Sequence, residues 1–170
     1  MKVLNLFAYT GGCTLAGAAA GAEVVHVDAA RNTLSWARRN AELSGLAQAP
    51  VRWISDDAAK FVRREVKRGN RYDAVVLDPP SYGHGARGEV WRLSKHLMPL
   101  LENCAQLTSG RRRFILLTCH TPGYGAERLG EMLAEACDDE TGHISVGSLA
   151  IRSVDGRDMP SGVFVYWSAR

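Results

Sequence analysis

Residues 6–14 read Leu-Phe-Ala-Tyr-Thr-Gly-Gly-Cys-Thr, LFAYTGGCT, between an apolar run and an alanine-rich one. A dinucleotide loop spaces three glycines so that the backbone turns tightly, approaches its ligand and packs a helix against a strand. This stretch has only Gly11 and Gly12, and it places Tyr9 where an earlier glycine would stand. It reads as a turn from a first strand into a first helix, shaped like a nucleotide loop but short of a glycine.

The flanks support that reading. Residues 2–7 and 23–28 are short runs rich in valine and leucine, and 14–20 between them has helical propensity. Leu34, Ala37 and Ala41 keep helical spacing within 31–43, Ser44-Gly45 stops that helix, and 51–55 reads as a third strand. A helix over 58–68 follows. Residues 72–77, YDAVVL, form an almost continuous apolar run, as a parallel strand buried on both faces requires. The helix 91–107, the strand 113–118 and the helix 127–137 come next. The chain closes with two strand-like runs, 144–151 and 163–167, and no helical pattern between them.

Strands alternating with helices predict an α/β, doubly wound, Rossmann-like parallel sheet with right-handed crossovers, and the final pair predicts an antiparallel hairpin at one end. The longest stretches without a pattern are 81–90 and 153–162. Long loops in compact domains are disproportionately functional, and the first of these leaves a central strand.

A chain of 170 residues, 46% hydrophobic and 23% charged, fits one domain with a sizeable core. No apolar run reaches the roughly 18 residues a membrane span requires, and Lys2 leads directly into a strand pattern, so a cytoplasmic setting is expected. Cys13, Cys104, Cys119 and Cys137 lack zinc or redox spacing and read as reduced thiols, with no metal site expected. A net charge of +3 is compatible with a polyanionic partner without demanding one.

Ligands of open α/β sheets bind beyond the carboxyl ends of the strands. Four polar features fall there: Tyr9 to Gly12, then Asp28, then Asp56-Asp57, then Asp78-Pro79-Pro80. Asp28 lies near the offset at which an acidic side chain meets a ribose hydroxyl pair, and it equally suits a helix cap. Asp57 has the same two readings, as a cap for the helix at Ala58 or as acceptor for an exocyclic amine of adenine. In Asp78-Pro79-Pro80-Ser81-Tyr82 the prolines stiffen the backbone and leave carbonyl acceptors, Asp78 adds a carboxylate and Tyr82 an aromatic face. That combination suits a planar base bearing an NH₂ group, whereas an isolated D-P-P is a stiff turn.

With these residues the chain resembles a class I S-adenosylmethionine-dependent methyltransferase, closest to the ribosomal RNA large-subunit branch. The first loop of that branch approximates N-x-F-x-Y-T-G-G, here Asn5-Leu6-Phe7-Ala8-Tyr9-Thr10-Gly11-Gly12. Asp28, Asp57-Ala58 and Asp78-Pro79-Pro80 continue the pattern in family order over nearly the whole chain. The resemblance implies a seven-stranded sheet ordered 3-2-1-4-5-7-6 with the last strand antiparallel. It implies S-adenosylmethionine as cofactor, bound at Asn5 and Asp78 as well, its methionine part wrapped by Phe7, Tyr9, Thr10, Gly11 and Gly12, its ribose on Asp28 and its adenine on Asp57 and Ala58. Asp78, Pro79 and Pro80 would line the meeting point of methyl donor and target base.

Two departures stand out. Many members carry an acid where this chain has Asn5. Relatives that methylate cytosine at carbon 5 use a cysteine nucleophile after the fifth strand, about where Thr121 stands, because carbon 5 is not nucleophilic until the ring is attacked. Cys119, two residues earlier, is one candidate for that role, and a buried structural cysteine is the other account of it. Transfer to nitrogen using Asp78 stays open, with His120 as a loop residue or a proton acceptor.

The family implies an RNA partner, ribosomal in the leading reading. Arg38-Arg39, Arg63-Arg64, Lys67-Arg68, Arg71 and 111–113 read mainly as solvated faces, while Arg87, Arg92 and Lys95 beside the D-P-P loop are better placed for phosphates. Related enzymes generally carry an upstream RNA-binding or substrate domain, so residues 1–170 are expected to be one catalytic domain, either a core fragment or a minimal form. The alternatives are a noncatalytic cofactor- or RNA-binding module and a nicotinamide-dependent oxidoreductase, which would call for three spaced glycines and a wholly parallel sheet.

Overall fold

A computed structural model describes residues 1–85, 88–138 and 142–169. The chain alternates β1 (Lys2–Leu6), α1 (Gly12–Ala19), β2 (Glu23–Asp28), α2 (Arg31–Leu43), β3 (Val51–Ser55), α3 (Ala58–Lys67) and β4 (Ala74–Leu77). A small hairpin, β5 (Tyr82–His84) and β6 (Val90–Arg92), precedes α4 (Leu93–Thr108). Then come β7 (Phe114–Cys119), α5 (Ala126–Cys137), β8 (Gly142–Arg152) and β9 (Asp158–Ala169).

The main sheet has seven strands in the order β3-β2-β1-β4-β7-β9-β8. Without the two hairpin strands this is the expected 3-2-1-4-5-7-6. β1 is parallel to β2 and β4, β2 to β3, and β4 to β7, whereas β9 runs antiparallel to both β7 and β8. A wholly parallel sheet, which the nicotinamide alternative required, is therefore not what forms.

Side chains alternate across the strands and fill a core on each face. Leu4, Leu6, Val25, Val27, Val75 and Leu77 join the larger core with α3, α4 and α5. Val3, Val24 and Ala74 face the other way onto Ala18 and Ala22 beside α1. Burial on both faces is why β1, β2 and β4 read as unbroken apolar runs.

Two expectations are corrected. Residues 81–90 are not a structureless loop, because Tyr82 pairs with Arg92, Gly83 with Trp91 and His84 with Val90. This pairing also delays α4 to Leu93, since Trp91 and Arg92 belong to β6. Residues 153–162 are not all loop either: β9 begins at Asp158, and the turn closes through Ser153 N–H, which donates to Arg157 O at 2.9 Å. The strand was hidden because Asp158, Met159 and Pro160 are exposed and lack an apolar alternation.

One polar cluster braces the larger core. The Glu65 carboxylate, 1% exposed, accepts from Tyr72 Oη at 2.7 Å, Asn70 Nδ2 at 2.8 Å and Arg68 Nη1 at 3.0 Å. Burial works to raise its pKa, but these donors hold it below the ordinary carboxylate value, while burial and then Glu65 push the Tyr72 phenol up. Tyr72→Phe removes one donor from a buried charge and is expected to destabilise by about 1–3 kcal/mol in urea unfolding. An unchanged midpoint would show that the cluster carries no such load.

Candidate active site

A cavity of about 660 Å³ opens at the carboxyl ends of β1 to β4. It lies where the strand order turns back on itself, with β1 between β2 and β4, the place at which open α/β sheets bind ligands. Phe7 and Tyr9 line it from the turn after β1, Asp28 from β2, Asp57 and Ala58 from the turn into α3, and Asp78 and Pro80 from the end of β4. Residues predicted on four separate strand ends thus share one space.

The first turn explains its missing glycine. Phe7 and Tyr9 have φ of 54° and 47°, and Gly11 follows at 92°. Non-glycine residues in this region cost on the order of 1 to 3 kcal/mol and persist where their surroundings over-determine them. Here Ala8 N–H donates to Val27 O at 3.1 Å, Tyr9 N–H to Asp28 Oδ2 at 2.8 Å and Gly11 N–H to Ala8 O at 3.0 Å. At Gly11 a side chain is disfavoured twice over, by the strain of its positive φ and by Ala37, whose Cβ would lie 3.2 Å from an added Cβ. Thr10, Gly11 and Gly12 carry the chain from this turn into α1, beside the cavity but outside its lining.

Asp28 is the tie between the first two turns. Its Oδ2 accepts from Tyr9 N–H, and its Oδ1 accepts from Ala30 N–H at 2.9 Å and Thr33 Oγ1 at 3.0 Å. Oδ2 has one protein donor and so retains a lone pair where the carboxylate lines the cavity. Asp57 likewise does two things: its Oδ1 caps α3 by accepting from Lys60 N–H at 2.8 Å, and the residue lines the cavity.

Asn5 is elsewhere. It is 3% exposed and its Nδ2 donates to Thr14 Oγ1 at 2.8 Å, which in turn lies 2.9 Å from Nδ1 of the fully buried His26. This chain of three supports the turn from behind instead of lining the cavity, and it fits an amide better than an acid. Burial pushes the His26 pKa down to about 4, with Asp28 opposing weakly. The folded protein therefore keeps His26 neutral where the unfolded chain, near 6.5, takes up a proton. Stability from this group is complete above pH 6.5 and is lost as pH falls toward 4, by on the order of 3 kcal/mol in all. Urea unfolding across that window should show a slope that His26→Asn reduces, and equal slopes would reject the assignment.

The D-P-P segment is built differently from expectation. Asp78 and Pro80 line the cavity, while Pro79 is buried beneath them. The Pro80 carbonyl already accepts from Trp91 Nε1 at 2.7 Å, which ties the segment to β6. Trp91 is the wall that the sequence reading missed. Its ring sits 5.0 Å from that of Phe7, and it lines the cavity together with Gly83, His84 and Gly85. Tyr82 is exposed beside the cavity, with its hydroxyl 3.0 Å from His84 Nε2 and the Arg92 guanidinium 5.9 Å above its ring.

Cys119 is 1% exposed within β7 and belongs to the larger core, so its sulfur does not face the cavity. Thr121, past the strand, donates to Ser81 Oγ at 3.1 Å. His120 Nε2 lies 3.4 Å from Asp78 Oδ1. Cys13 is exposed at the start of α1, and burial of its sulfur together with the Asp78 charge pushes its thiol pKa up. No group of histidine, cysteine and acidic side chains fit to hold a metal occurs among the described residues. No helix there is long and apolar enough to cross a membrane. Arg87 lies outside the described residues, and Lys95 is exposed on α4.

These residues fit an S-adenosyl ligand. The volume is within the range of small-molecule sites, one carboxylate retains an acceptor for a ribose hydroxyl, another stands at a helix start for an adenine amine, and Phe7, Val27, Ala58 and Trp91 supply apolar walls.

A family model described as S-adenosylmethionine-dependent methyltransferase matches residues 1–135. A ribosomal RNA large subunit methyltransferase I from Aeromonas hydrophila is 43% identical over 82 residues, 48% of this chain and 21% of that protein. The chain thus matches about a fifth of that relative's length. The crystal structure of a SAM-dependent methyltransferase from Agrobacterium tumefaciens superposes with a TM-score of 0.94 at 41% identity, covering 100% of this chain and 56% of that one. A magnesium protoporphyrin IX methyltransferase from Synechocystis PCC 6803, solved with bound SAM, shares the fold at a TM-score of 0.65 and 15% identity, over 98% of this chain and 69% of that one. The chain belongs to the S-adenosylmethionine-dependent methyltransferase family.

Proposed function

We propose that residues 1–170 form the catalytic domain of an S-adenosylmethionine-dependent methyltransferase that modifies a base of ribosomal RNA. The observation that carries this reading is the convergence of Asp28, Asp57 and Asp78 on one cavity walled by Phe7 and Trp91. When bound, the cofactor supplies an activated methyl group on a sulfonium, so the protein's task is chiefly to position the acceptor and exclude water. Asp28 holds the ribose, Asp57 and Ala58 read the adenine, and Asp78 meets the target base. Exposed Tyr82 offers a ring for a flanking base to stack on, Arg92 lies over that ring, and both Arg92 and Lys95 are exposed for phosphates.

The target atom in this account is a nitrogen. Carbon 5 of a pyrimidine needs a cysteine adduct, whereas Cys119 is enclosed in the core and Thr121 occupies the nucleophile's place. Cys13 has a thiol held toward its neutral form, the unreactive one. The test is incubation of the protein with ribosomal RNA and methyl-labelled S-adenosylmethionine, followed by mass spectrometry of the nucleosides. A label on a base nitrogen supports the reading. A label on carbon 5, or none on RNA, overturns it.

A further inference from the structure

Two side-chain contacts lace the end of β4 to the end of β7: His120 to Asp78, with Nε2 3.4 Å from Oδ1, and Thr121 to Ser81, at 3.1 Å. Behind them stands β9. Gly162 has φ of 94°, and a Cβ there would collide with the Cys119 carbonyl and the His120 ring. The imidazole is therefore backed by bare backbone on one side and faces a carboxylate on the other. Asp78 lines the cavity and His120 does not, so any effect of His120 on the reaction passes through Asp78. Both side chains are about half exposed, at 51% and 50%, which makes the pair worth little to stability. The Asp78 charge also helps to raise the thiol pKa of Cys13 on α1.

We propose that His120, seated against Gly162, is a positioning residue that holds one Asp78 oxygen so that the other faces the target. The inference rests on the nitrogen-methylation reading above. In the step concerned, the target nitrogen's lone pair forms the new N–C bond. The C–S bond breaks with its electron pair staying on sulfur, and the N–H proton passes to the free Asp78 oxygen. Nitrogen that has just gained a methyl group is cationic and acidic, so a carboxylate suffices as acceptor once it is held in reach. The 3.4 Å contact is long, as catalytic contacts commonly are before a site fills.

The test compares the wild-type chain with His120→Ala, His120→Leu and His120→Gln on ribosomal RNA, with S-adenosylhomocysteine affinity measured by calorimetry. His120→Ala and His120→Leu are expected to slow transfer at saturating cofactor by about tenfold or more, the scale on which misplaced groups cost rate, with affinity and melting temperature unchanged. His120→Gln keeps an N–H donor and should recover most of the rate. If one variant fails to fold, the contrast between the remaining donor and non-donor forms decides. Wild-type rates in His120→Leu, or a lost rate matched by lost affinity, would overturn the role of His120 while leaving the methyltransferase reading in place. A wild-type protein that binds S-adenosylhomocysteine yet leaves every base nitrogen unlabelled would remove the reading on which the role depends.

Discussion

Asp28→Ala is expected to weaken S-adenosylhomocysteine binding by about 10- to 100-fold, the equivalent of one charge-assisted hydrogen bond of roughly 1.5–3 kcal/mol. The loss has two sources. A ribose hydroxyl loses its acceptor, and the first turn loses the clamp on Tyr9 N–H that helps hold a left-handed backbone in place. The half-buried carboxylate sits at the rim of the sheet, outside the packed cores, so folding survives. Asp28→Asn separates the two sources, because an amide oxygen can still accept from backbone while the negative charge is gone. Unchanged affinity in the folded alanine variant would leave Asp28 as a tie between the first two turns and nothing more.

Asp78→Ala should affect the reaction more than binding. Removing the group that orients the target nitrogen and takes up its proton costs about 10²-fold or more in rate. Binding of S-adenosylhomocysteine should change little, since Asp28 and Asp57 hold the nucleoside end. Cys119→Ala provides the contrast: it removes a small buried side chain from β7 and should lower stability while leaving the rate per folded molecule intact. The opposite pattern, with Cys119→Ala inactive and Asp78→Ala active, would restore carbon 5 as the target. Initial rates with labelled cofactor on ribosomal RNA distinguish the two.

The elements that carry the cofactor site were legible because each depends on short-range pattern. β1, β2 and β4 are buried on both faces, so their apolar runs mark them, and Asp28 and Asp78 close two of those runs at their carboxyl ends. The Trp91 wall was not legible. β5 and β6 are three residues each, with glycine and histidine among them, and only their mutual pairing brings Trp91 over Phe7. Asn5 was legible as a family position but not in its role, because its partners are nine residues away at Thr14 and, beyond that, on the next strand at His26. His120 was legible as a loop residue or a proton acceptor, but not in its contact with Asp78. The strand ends at Cys119, so the alternation that buries the thiol stops there, and His120 is released toward Asp78.

The central claim is that this cavity holds an S-adenosyl ligand through its row of strand-end carboxylates. Calorimetric titration of the chain with S-adenosylhomocysteine tests it most directly. A saturable heat at one site per chain, weakened by Asp28→Ala, is the predicted result. No heat, accompanied by no rise in melting temperature at excess ligand, would contradict it.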